Sequence, residues 1–252
     1  MTEALSRTLY NKDTVRKNFS RAASTYDEYA VMQKFAARRL SELVERSFPK
    51  QCGRVWEIGC GTGLLTTELL SRLEPTHYLA TDVSLEMLQE CQRKALSADA
   101  VLEFKQADGE RFDAVEQCDL IVSGMTAQWM DLASCLSLWC QAPVKRIAFS
   151  TLLNGSLSEW QQAVKGSTLP LLTRTELQTI VNAQSIVDAE IVYETHSQTF
   201  PDVRDFLHSL RNIGAHSSGD PVDTASLRRA IKKFPDGFCA EYHLAMILIE
   251  VR

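Results

Sequence analysis

The amino-acid sequence predicts an α/β fold built on a mostly parallel, seven-stranded sheet that helices cover on both faces. Short apolar runs alternate with amphipathic helical segments over the first 152 residues, a pattern typical of parallel sheets. Three glycines at alternate positions follow the first run, in VWEIGCGTG (55–63), as in a turn that brings a ligand close to the backbone. With 252 residues, 45% of them hydrophobic and 23% charged, the chain suits one large α/β domain or two small ones. The pattern of elements along the chain favours a single domain over residues 1–252.

The first half of the chain supplies five of the strands and the helices between them. Helical periodicity in VMQKFAARRLSELVERSF (31–48) places helices before the first strand, and we expect the segment at about 12–48 to form an N-terminal cap. The predicted strands are 53–59, 77–84, 101–108, 118–124 and 144–152. The helices predicted between them are 64–73, a segment around Met87, Leu88 and Cys91, and 131–141.

The pattern changes after residue 152, where helices predominate and two long strands frame the last pair of them. Helices are predicted at 157–165, 174–183, 201–211 and 224–233. The two strands are SIVDAEIVYETHSQTF (185–200) and FCAEYHLAMILIEV (238–251). One antiparallel strand added to the parallel sheet accounts for this late pair. The intervening helices are expected to form a helical lid over the ligand edge of the sheet, from segments at about 153–185 and 200–235.

Composition and charge argue against several classes of function. The net charge of −5 opposes general binding of nucleic acids, which requires a dense basic face. No apolar run approaches the roughly 18 residues that cross a bilayer, and the polar start of the chain lacks a signal-peptide core, so no membrane association is expected. The seven cysteines form no C-x-x-C pair, which argues against disulfides and against a metal site. Reduced thiols of this kind indicate a cytoplasmic protein.

The glycine-rich turn distinguishes between two classes of nucleotide-like ligand. A dinucleotide fingerprint, G-x-G-x-x-G, would require glycine at positions 59, 61 and 64, but position 64 is leucine. The observed E-x-G-x-G-x-G, with Gly59, Gly61 and Gly63, resembles motif I of the class I S-adenosylmethionine-dependent methyltransferases, which have a Rossmann-like fold. The resemblance implies that the glycines make room for the methionine part and the ribose, and that Glu57 reaches the methionine amino group. The alternative is a tight turn with no ligand.

Acidic residues at the ends of three successive predicted strands favour S-adenosylmethionine as the cofactor. Asp82 ends the second strand, where a carboxylate can accept hydrogen bonds from both ribose hydroxyls, and in this family an acid placed like Asp108 accepts from the adenine amino group. A single aspartate at such a place is usually a helix cap or a turn residue, but three acids at the ends of three successive strands argue against that interpretation. Met87 and Ser123 complete the predicted cofactor site.

The methyl acceptor must be inferred from other segments, because motif I defines only the donor. Amino-methylating enzymes of nucleic acids carry N/D-P-P-Y/F after the fourth strand, whereas this chain has SGMTAQW (123–129). From about residue 12 onward the sequence resembles the malonyl-[acyl-carrier protein] O-methyltransferases that begin pimeloyl synthesis for biotin. The segments that carry this resemblance are FSRAASTYDEYAVMQ (19–33), motif I, MTAQW (125–129), FSTLLNGSLSEWQQA (149–163), LRNIGAH (210–216) and EYHLAMILI (241–249). The chain departs from the family at SGM, where members usually have Asn-Leu, and at the short HSSGDPVD (216–223).

The resemblance implies methyl transfer to the free carboxylate of a malonyl thioester on acyl carrier protein. That carboxylate, with a pKa of about 4, is ionised at pH 7 and needs no general base. A tyrosine at the place of Tyr26 faces the reacting methyl in related enzymes, although an aromatic at the edge of the core is the alternative. Arg211, at a helix end beside a glycine turn, is the predicted partner of the carboxylate, since a desolvated carboxylate needs a cation or a hydrogen-bond donor.

The predicted lid also offers a surface for the acidic carrier protein. Residues 204–233 contain six arginines and lysines against three aspartates. We expect Arg228, Arg229, Lys232 and Lys233 to dock the carrier protein; the alternative is an ordinary solvated helix face. The chain is expected to be a monomer. Two other functions compete with this one: a methyltransferase acting on another small molecule, such as a quinone precursor, and a protein on the same fold that binds the cofactor without catalysis.

Overall fold

The sheet of the protein has seven strands and is mostly parallel, which confirms the predicted architecture. The computed structural model describes residues 10–95, 100–111, 117–164, 170–215 and 224–252. The strands are β1 (Gln51–Ile58), β2 (Glu74–Asp82), β3 (Val101–Gln106), β4 (Cys118–Ser123), β5 (Val144–Leu152), β6 (Ile186–Phe200) and β7 (Phe238–Val251). Their order is β3-β2-β1-β4-β5-β7-β6, and β7 runs antiparallel to both of its neighbours. The late antiparallel strand is therefore inserted between β5 and β6.

The helices occur where the sequence predicts them, within a few residues at each end. They are α1 (Lys12–Ala22), α2 (Tyr26–Tyr29), α3 (Val31–Ser47), α4 (Leu64–Arg72), α5 (Leu85–Ala95), α6 (Leu132–Gln141), α7 (Ser158–Ala163), α8 (Arg174–Asn182), α9 (Val203–Asn212) and α10 (Thr224–Lys233), with a 3-10 turn at Ala127–Trp129. Side-chain hydrogen bonds cap the N-termini of several of these helices. The Thr173 hydroxyl and Glu176 form a capping box before α8, and the Asp202 carboxylate accepts from the backbone N–H of Arg204 and Asp205 before α9.

Strand residues alternate between two apolar cores because successive side chains point to opposite faces of a sheet. Val55 packs with residues of α3, α4 and α5 on one face. Trp56, the next residue, packs with residues of α6 and α8 on the other face. Helices therefore cover both faces, as the near-continuous apolar runs of the strands predict.

A third apolar cluster lies at the carboxyl end of β5 and joins the late helices to the N-terminal cap. Trp160 of α7, Phe206 of α9 and Phe238 of β7 are buried together, with 4.6 Å between the ring centroids of Phe206 and Phe238. Met32 of α3 belongs to the same cluster. The predicted lid helices thus pack against the cap beside the ligand edge of the sheet. Their description as a lid on one domain stays a prediction.

Candidate functional site

A cavity opens at the carboxyl ends of β1 to β4, the edge where open α/β sheets bind ligands. It encloses about 1100 Å³, including the space open to solvent. It is lined by the strand ends, the glycine turn, helices of the N-terminal cap and the loop after β4. Most of the predicted site residues meet here: Tyr26, Glu57, Gly59, Gly61, Asp82, Met87 and Asp108.

The three glycines of the turn have different neighbours, although all have positive φ angles of +69°, +54° and +87°. A Cβ atom on Gly61 would meet no atom within 4 Å, because this position faces the cavity. On Gly59 it would lie 2.4 Å from the Thr126 side chain. Gly63 does not line the cavity, and a Cβ atom there would lie 3.0 Å from Cys91 Sγ. Of the three, Gly63 serves the contact between α4 and α5.

Glu57, the second-last residue of β1, is a fully buried acid, and in the described part of the chain its side-chain hydrogen bonds end at one oxygen. Its Oε2 atom accepts from the hydroxyls of Thr66, at 2.5 Å, and Tyr78, at 2.8 Å. Burial raises the pKa of the Glu57 carboxyl to about 7; the two hydrogen bonds lower it in part, and the charge of Asp82 raises it. Since both hydroxyls donate to Oε2, the Oε1 atom of this cavity-lining side chain is available to a cationic ligand.

Asp82, at the end of β2, holds the glycine turn in place. Its Oδ2 atom accepts from the backbone N–H of Gly61 at 2.9 Å, and its Oδ1 atom accepts from that of Ser84 at 2.8 Å. An ionised carboxylate has about four acceptor sites, so Asp82 can still accept from a ligand hydroxyl. Burial raises the pKa of Asp82, and the backbone hydrogen bonds oppose this shift.

Asp108, after β3, lines the cavity and contacts the cap. Its Oδ2 atom lies 3.1 Å from Lys12 Nζ, and Lys12 also forms an ion pair with Glu110.

The other two predicted cofactor residues, Met87 and Ser123, differ in their placement. Met87 is buried and lines the cavity. The Ser123 hydroxyl is buried and donates to the Ile58 carbonyl at 2.9 Å, and Gly124, the next residue, lines the cavity in its place.

Tyr26 begins α2 and lines the cavity. Its ring centroid lies 6.3 Å from that of Phe19, which also lines the cavity. Burial raises the pKa of the Tyr26 hydroxyl well above its usual value of 10, and the charges of Asp82 and Asp27 add to the shift. The hydroxyl therefore stays protonated at neutral pH and can donate a hydrogen bond to an anion.

Polar contacts fasten the N-terminal cap to the ligand edge on both sides of Tyr26. Asp27 accepts from the Thr62 hydroxyl at 2.5 Å and forms an ion pair with Lys94 of α5. Ser20 of α1 donates to Glu86 at 2.6 Å. The contact of Asp27 with Thr62 connects the cap directly to the glycine turn, since Thr62 lies between Gly61 and Gly63.

The predicted cations of the lid lie outside the cavity. Arg211 is exposed at the end of α9 and does not line the cavity, so the structure does not bring it to the predicted position beside the other site residues. Arg228, Arg229, Lys232 and Lys233 are exposed on α10. Within the described ranges none of these five cations forms an ion pair with a carboxylate, and Arg229 donates to Ser226 at 2.7 Å. Asp220, Asp223 and the HSSGDPVD segment lie outside the described residues.

Sequence reasoning missed several residues that line the cavity, namely Lys12, Phe19, Gln33, Thr126, Trp129 and Met130. Trp129 and its neighbours follow β4 directly, so their place at the ligand edge could have been inferred from MTAQW. Met125 in this loop has a φ of +53°, an unusual value for a residue with a side chain. Lys12, Phe19 and Gln33 belong to the cap, and no local signal shows which of its residues turn inward.

Among the described residues, no group of three or more histidine, cysteine, aspartate or glutamate side chains could hold a metal ion. In that same part of the chain, the helices lack the length and apolar character needed to span a membrane.

Comparisons with known proteins agree with the geometry. The family model described as a methyltransferase domain matches residues 55–142. The chain is 32% identical over 242 residues to the biotin biosynthesis bifunctional protein BioCD of Bordetella avium, covering 92% of this chain but only 51% of that protein, so it spans about half of that relative's length. It is 32% identical to the malonyl-[acyl-carrier protein] O-methyltransferase of Magnetococcus marinus, over 91% of this chain and 89% of the relative. The magnesium protoporphyrin IX methyltransferase of Synechocystis, with bound S-adenosylhomocysteine, shares the fold, with a TM-score of 0.61 at 12% identity over 96% of this chain and 100% of that one.

Proposed function

The chain belongs to the malonyl-[acyl-carrier protein] O-methyltransferase family, and we propose that it transfers a methyl group from S-adenosylmethionine to the free carboxylate of a malonyl thioester on acyl carrier protein. The relative from Bordetella avium carries biotin biosynthesis in its name. The malonyl methyl ester is accordingly the proposed primer for the pimeloyl part of biotin.

The observation that carries this proposal is the row of three acids along one edge of the sheet. Because β3, β2 and β1 are neighbours, Asp108, Asp82 and Glu57 follow one another across the cavity, with a strand spacing of about 4.8 Å. S-adenosylmethionine carries its adenine, ribose and amino-acid parts in the same order. Asp108 would accept from the adenine amino group, Asp82 from the ribose hydroxyls, and Glu57 from the ammonium group.

The chemistry requires positioning more than proton transfer. When bound, S-adenosylmethionine supplies a methyl group that its positively charged sulfur has already activated. The malonyl carboxylate is ionised at neutral pH, so the protein has to strip it of water and hold it in line, and such positioning contributes roughly 7–11 kcal/mol. Phe19, Tyr26 and Trp129 line the cavity with aromatic rings, which would limit the contact of a bound carboxylate with water. The neutral hydroxyl of Tyr26 is the donor that we assign to the malonyl carboxylate.

Tyr26→Phe should lower turnover about tenfold or more while affinity for S-adenosylhomocysteine stays within about threefold, because the variant removes only a hydrogen bond to a charged acceptor. Steady-state kinetics and calorimetric titration measure the two quantities. Tyr29→Phe is the matched control, since Tyr29 also lies in α2 but its hydroxyl contacts His208 outside the cavity. An equal loss of turnover and cofactor affinity with a lower melting temperature would instead identify Tyr26 as a packing residue.

The exposed cations of α10, Arg228, Arg229, Lys232 and Lys233, are the proposed docking surface for the acidic carrier protein. Lys232→Glu with Lys233→Glu should raise KM for malonyl-carrier protein about tenfold at low salt, and less at high salt, because exposed charges act through screened attraction. Malonyl-coenzyme A should be used as before, which makes it the internal control. If the double reversal leaves kinetics on the carrier protein unchanged, α10 is only a solvated face.

Kinetics on malonyl-carrier protein and on malonyl-coenzyme A distinguish two roles for Arg211. A contact with the malonyl carboxylate requires the side chain to turn toward the cavity, and Arg211→Ala would then depress turnover on both malonyl thioesters. A docking role would depress turnover on the carrier-protein substrate alone.

The direct test of the proposed function is production of S-adenosylhomocysteine from S-adenosylmethionine and malonyl-carrier protein. We expect turnover with the malonyl thioester and none with its methyl ester, which has lost the charge that the site recognises. Turnover with a quinone precursor and not with malonyl thioesters would favour the small-molecule alternative. No turnover, with intact cofactor binding, would favour a protein that binds the cofactor without catalysis. We further propose a cytoplasmic location, since all seven cysteines are free thiols.

A further inference from the structure

The turn that ends α9 packs directly against the backbone of α1, and Gly214 is the residue at this contact. A Cβ atom on Gly214 would lie 2.9 Å from the carbonyl oxygen of Asn18 and 3.0 Å from the Cα atom of Phe19. Both neighbours are backbone atoms, so no change of side-chain rotamer could make room for a methyl group. Glycine therefore permits a closer approach of α9 to α1 than any other residue.

The helix end alone would not require glycine at this position. Gly214 has a φ of +72°. Its N–H donates to the Arg211 carbonyl, and the N–H of Ala215 donates to the Leu210 carbonyl, both at 3.0 Å, which are the two hydrogen bonds of a Schellman helix end. Asparagine also occurs in the left-handed conformation at such ends. The contact with α1 is therefore the feature that excludes every side chain.

Phe19 connects this contact to the wall of the cavity. Its Cα atom faces Gly214, and its side chain lines the cavity. The ring centroid of Phe19 lies 5.5 Å from that of Trp129, edge to face, and 6.3 Å from that of Tyr26. The proposed function places the malonyl carboxylate beside these three rings. A shift of the α1 backbone at Phe19 would therefore move one wall of the acceptor site.

Separate contacts hold the cap to α9 and to the cofactor side of the cavity. On the side of α9, the Thr25 hydroxyl donates to the Asn212 carbonyl at 3.1 Å. On the cofactor side, Lys12 at the start of α1 lies 3.1 Å from Asp108. A displacement at Gly214 therefore acts on the end of α1 that lies away from the contact with Asp108.

We propose that Gly214 is a positioning residue for the methyl acceptor, and that it acts through Phe19. By admitting the backbone of α1 against the end of α9, Gly214 holds the Phe19 ring in place beside the malonyl group. Gly214 itself does not line the cavity. Displacement of a reacting group by about 1 Å costs roughly a hundredfold in rate, so a contact of this kind is sufficient to affect turnover. The inference rests on the acceptor part of the proposed function.

Gly214→Ala should lower kcat/KM for malonyl-carrier protein about tenfold to a hundredfold, because the added methyl group must push α1 outward. Affinity for S-adenosylhomocysteine, measured by calorimetry, should change by less than about threefold, since the contact of α1 with Asp108 is retained. Gly155→Ala is the matched control. Gly155 has a φ of +98° in the loop before α7, does not line the cavity, and would place its Cβ atom beside the side chain of His243. This control should lower the melting temperature and leave kcat/KM unchanged.

A double-mutant cycle tests whether Gly214 acts through the Phe19 ring. Phe19→Ala removes that ring, so adding Gly214→Ala to this variant should lower kcat/KM by less than about a further twofold. Multiplication of the two separate effects in the double variant would overturn the proposal.

Thermal melting separates positioning from a structural role. Asparagine adopts the left-handed conformation more readily than alanine, so Gly214→Asn should melt at a higher temperature than Gly214→Ala. Both variants place the same Cβ atom against α1, so kcat/KM should be similarly low in both. Thr25→Val removes a hydrogen bond of the same contact without adding a clash, and it should lower kcat/KM by a smaller factor. This variant tests the contact even where the Gly214 variants do not fold.

The remaining outcomes distinguish this inference from the proposed function. If kcat/KM follows the melting temperature across Gly155→Ala and both Gly214 variants, Gly214 has only a structural role and the proposal is overturned. If the wild type methylates the malonyl thioester and Gly214→Ala does so equally well, this inference alone fails. If the wild type binds S-adenosylhomocysteine but methylates no malonyl thioester, the proposed function fails and this inference fails with it.

Discussion

Asp82→Ala should weaken binding of S-adenosylhomocysteine at least about a hundredfold, because it removes two hydrogen bonds to a charged acceptor that contribute about 1.5–3 kcal/mol each. The variant also releases the backbone N–H groups of Gly61 and Ser84, which Asp82 holds at 2.9 Å and 2.8 Å. The glycine turn then loses the acceptor that fixes its shape. Both effects act in the same direction, so this substitution has the largest expected consequence for the cofactor.

Calorimetric titration measures this affinity, and circular dichroism shows whether the variant is folded. Asp188→Ala is the matched control, since Asp188 is exposed on the edge strand β6. Asp82→Asn should lie between the wild type and Asp82→Ala, because its amide oxygen can still accept one of the two backbone hydrogen bonds. Unchanged binding by a folded Asp82→Ala variant would show that the ribose does not lie at the end of β2.

Affinity for S-adenosylhomocysteine should fall about tenfold for each pH unit below pH 7 and level off above pH 8, because Glu57 can pair with the ammonium group only when it is ionised. Its pKa of about 7 means that the carboxyl of the ligand-free protein is mostly protonated at pH 6. Binding at that pH must release a proton. Titrations at pH 6, 7 and 8, in buffers of different ionisation enthalpy, measure both the affinity and the proton release.

Glu57→Gln is the control for this linkage and should bind weakly at every pH, with no proton release. The raised pKa of Glu57 also makes the stability of the folded, ligand-free protein depend on pH. The folded pKa of Glu57 lies above its ordinary value of 4.5, so the folded state binds the proton more tightly than the unfolded state. Stability of the ligand-free protein is therefore greatest below about pH 4.5 with respect to this group and decreases as the pH rises toward 7. A pH-independent affinity between pH 6 and 8 would contradict the assignment of Glu57.

The strands and the acids at their ends could be predicted because each depends on local sequence. An apolar run indicates a strand, and a parallel strand brings the residues at or just after its carboxyl end to the ligand edge, as for Glu57, Asp82 and Asp108. The contacts of the cap could not be predicted in this way. Lys12 and Asp108 are 96 positions apart, and Asp27 and Lys94 are 67 apart, so only the folded chain shows which side chains meet.

The spacing of residues in a motif also does not show which of them face the cavity and which pack against the rest of the protein. Gly63 occupies a motif position but faces Cys91, and Ser123 ends β4 but donates to a strand carbonyl. Arg211 was placed beside the acceptor from its helix end and the following glycine, yet α9 leaves it exposed. Helix ends can be predicted from the sequence, whereas the direction in which their side chains point depends on the packing of the whole helix.

The contact between Asp27 and Thr62 makes docking of the cap and binding of the cofactor linked equilibria. Docking through Asp27 favours one conformation of the glycine turn, and that conformation presents Gly61 to the cavity. A coupling free energy between two such events is reciprocal. Docking of the cap raises the affinity for the cofactor by some factor, and binding of the cofactor raises the equilibrium constant for docking of the cap by the same factor. Since Tyr26 directly precedes Asp27, the hydroxyl proposed for the acceptor is in place most often when the methyl donor is already bound. With the two sites assigned as proposed, occupancy of the cofactor site prepares the acceptor site, and we expect an ordered sequence in which the cofactor binds first.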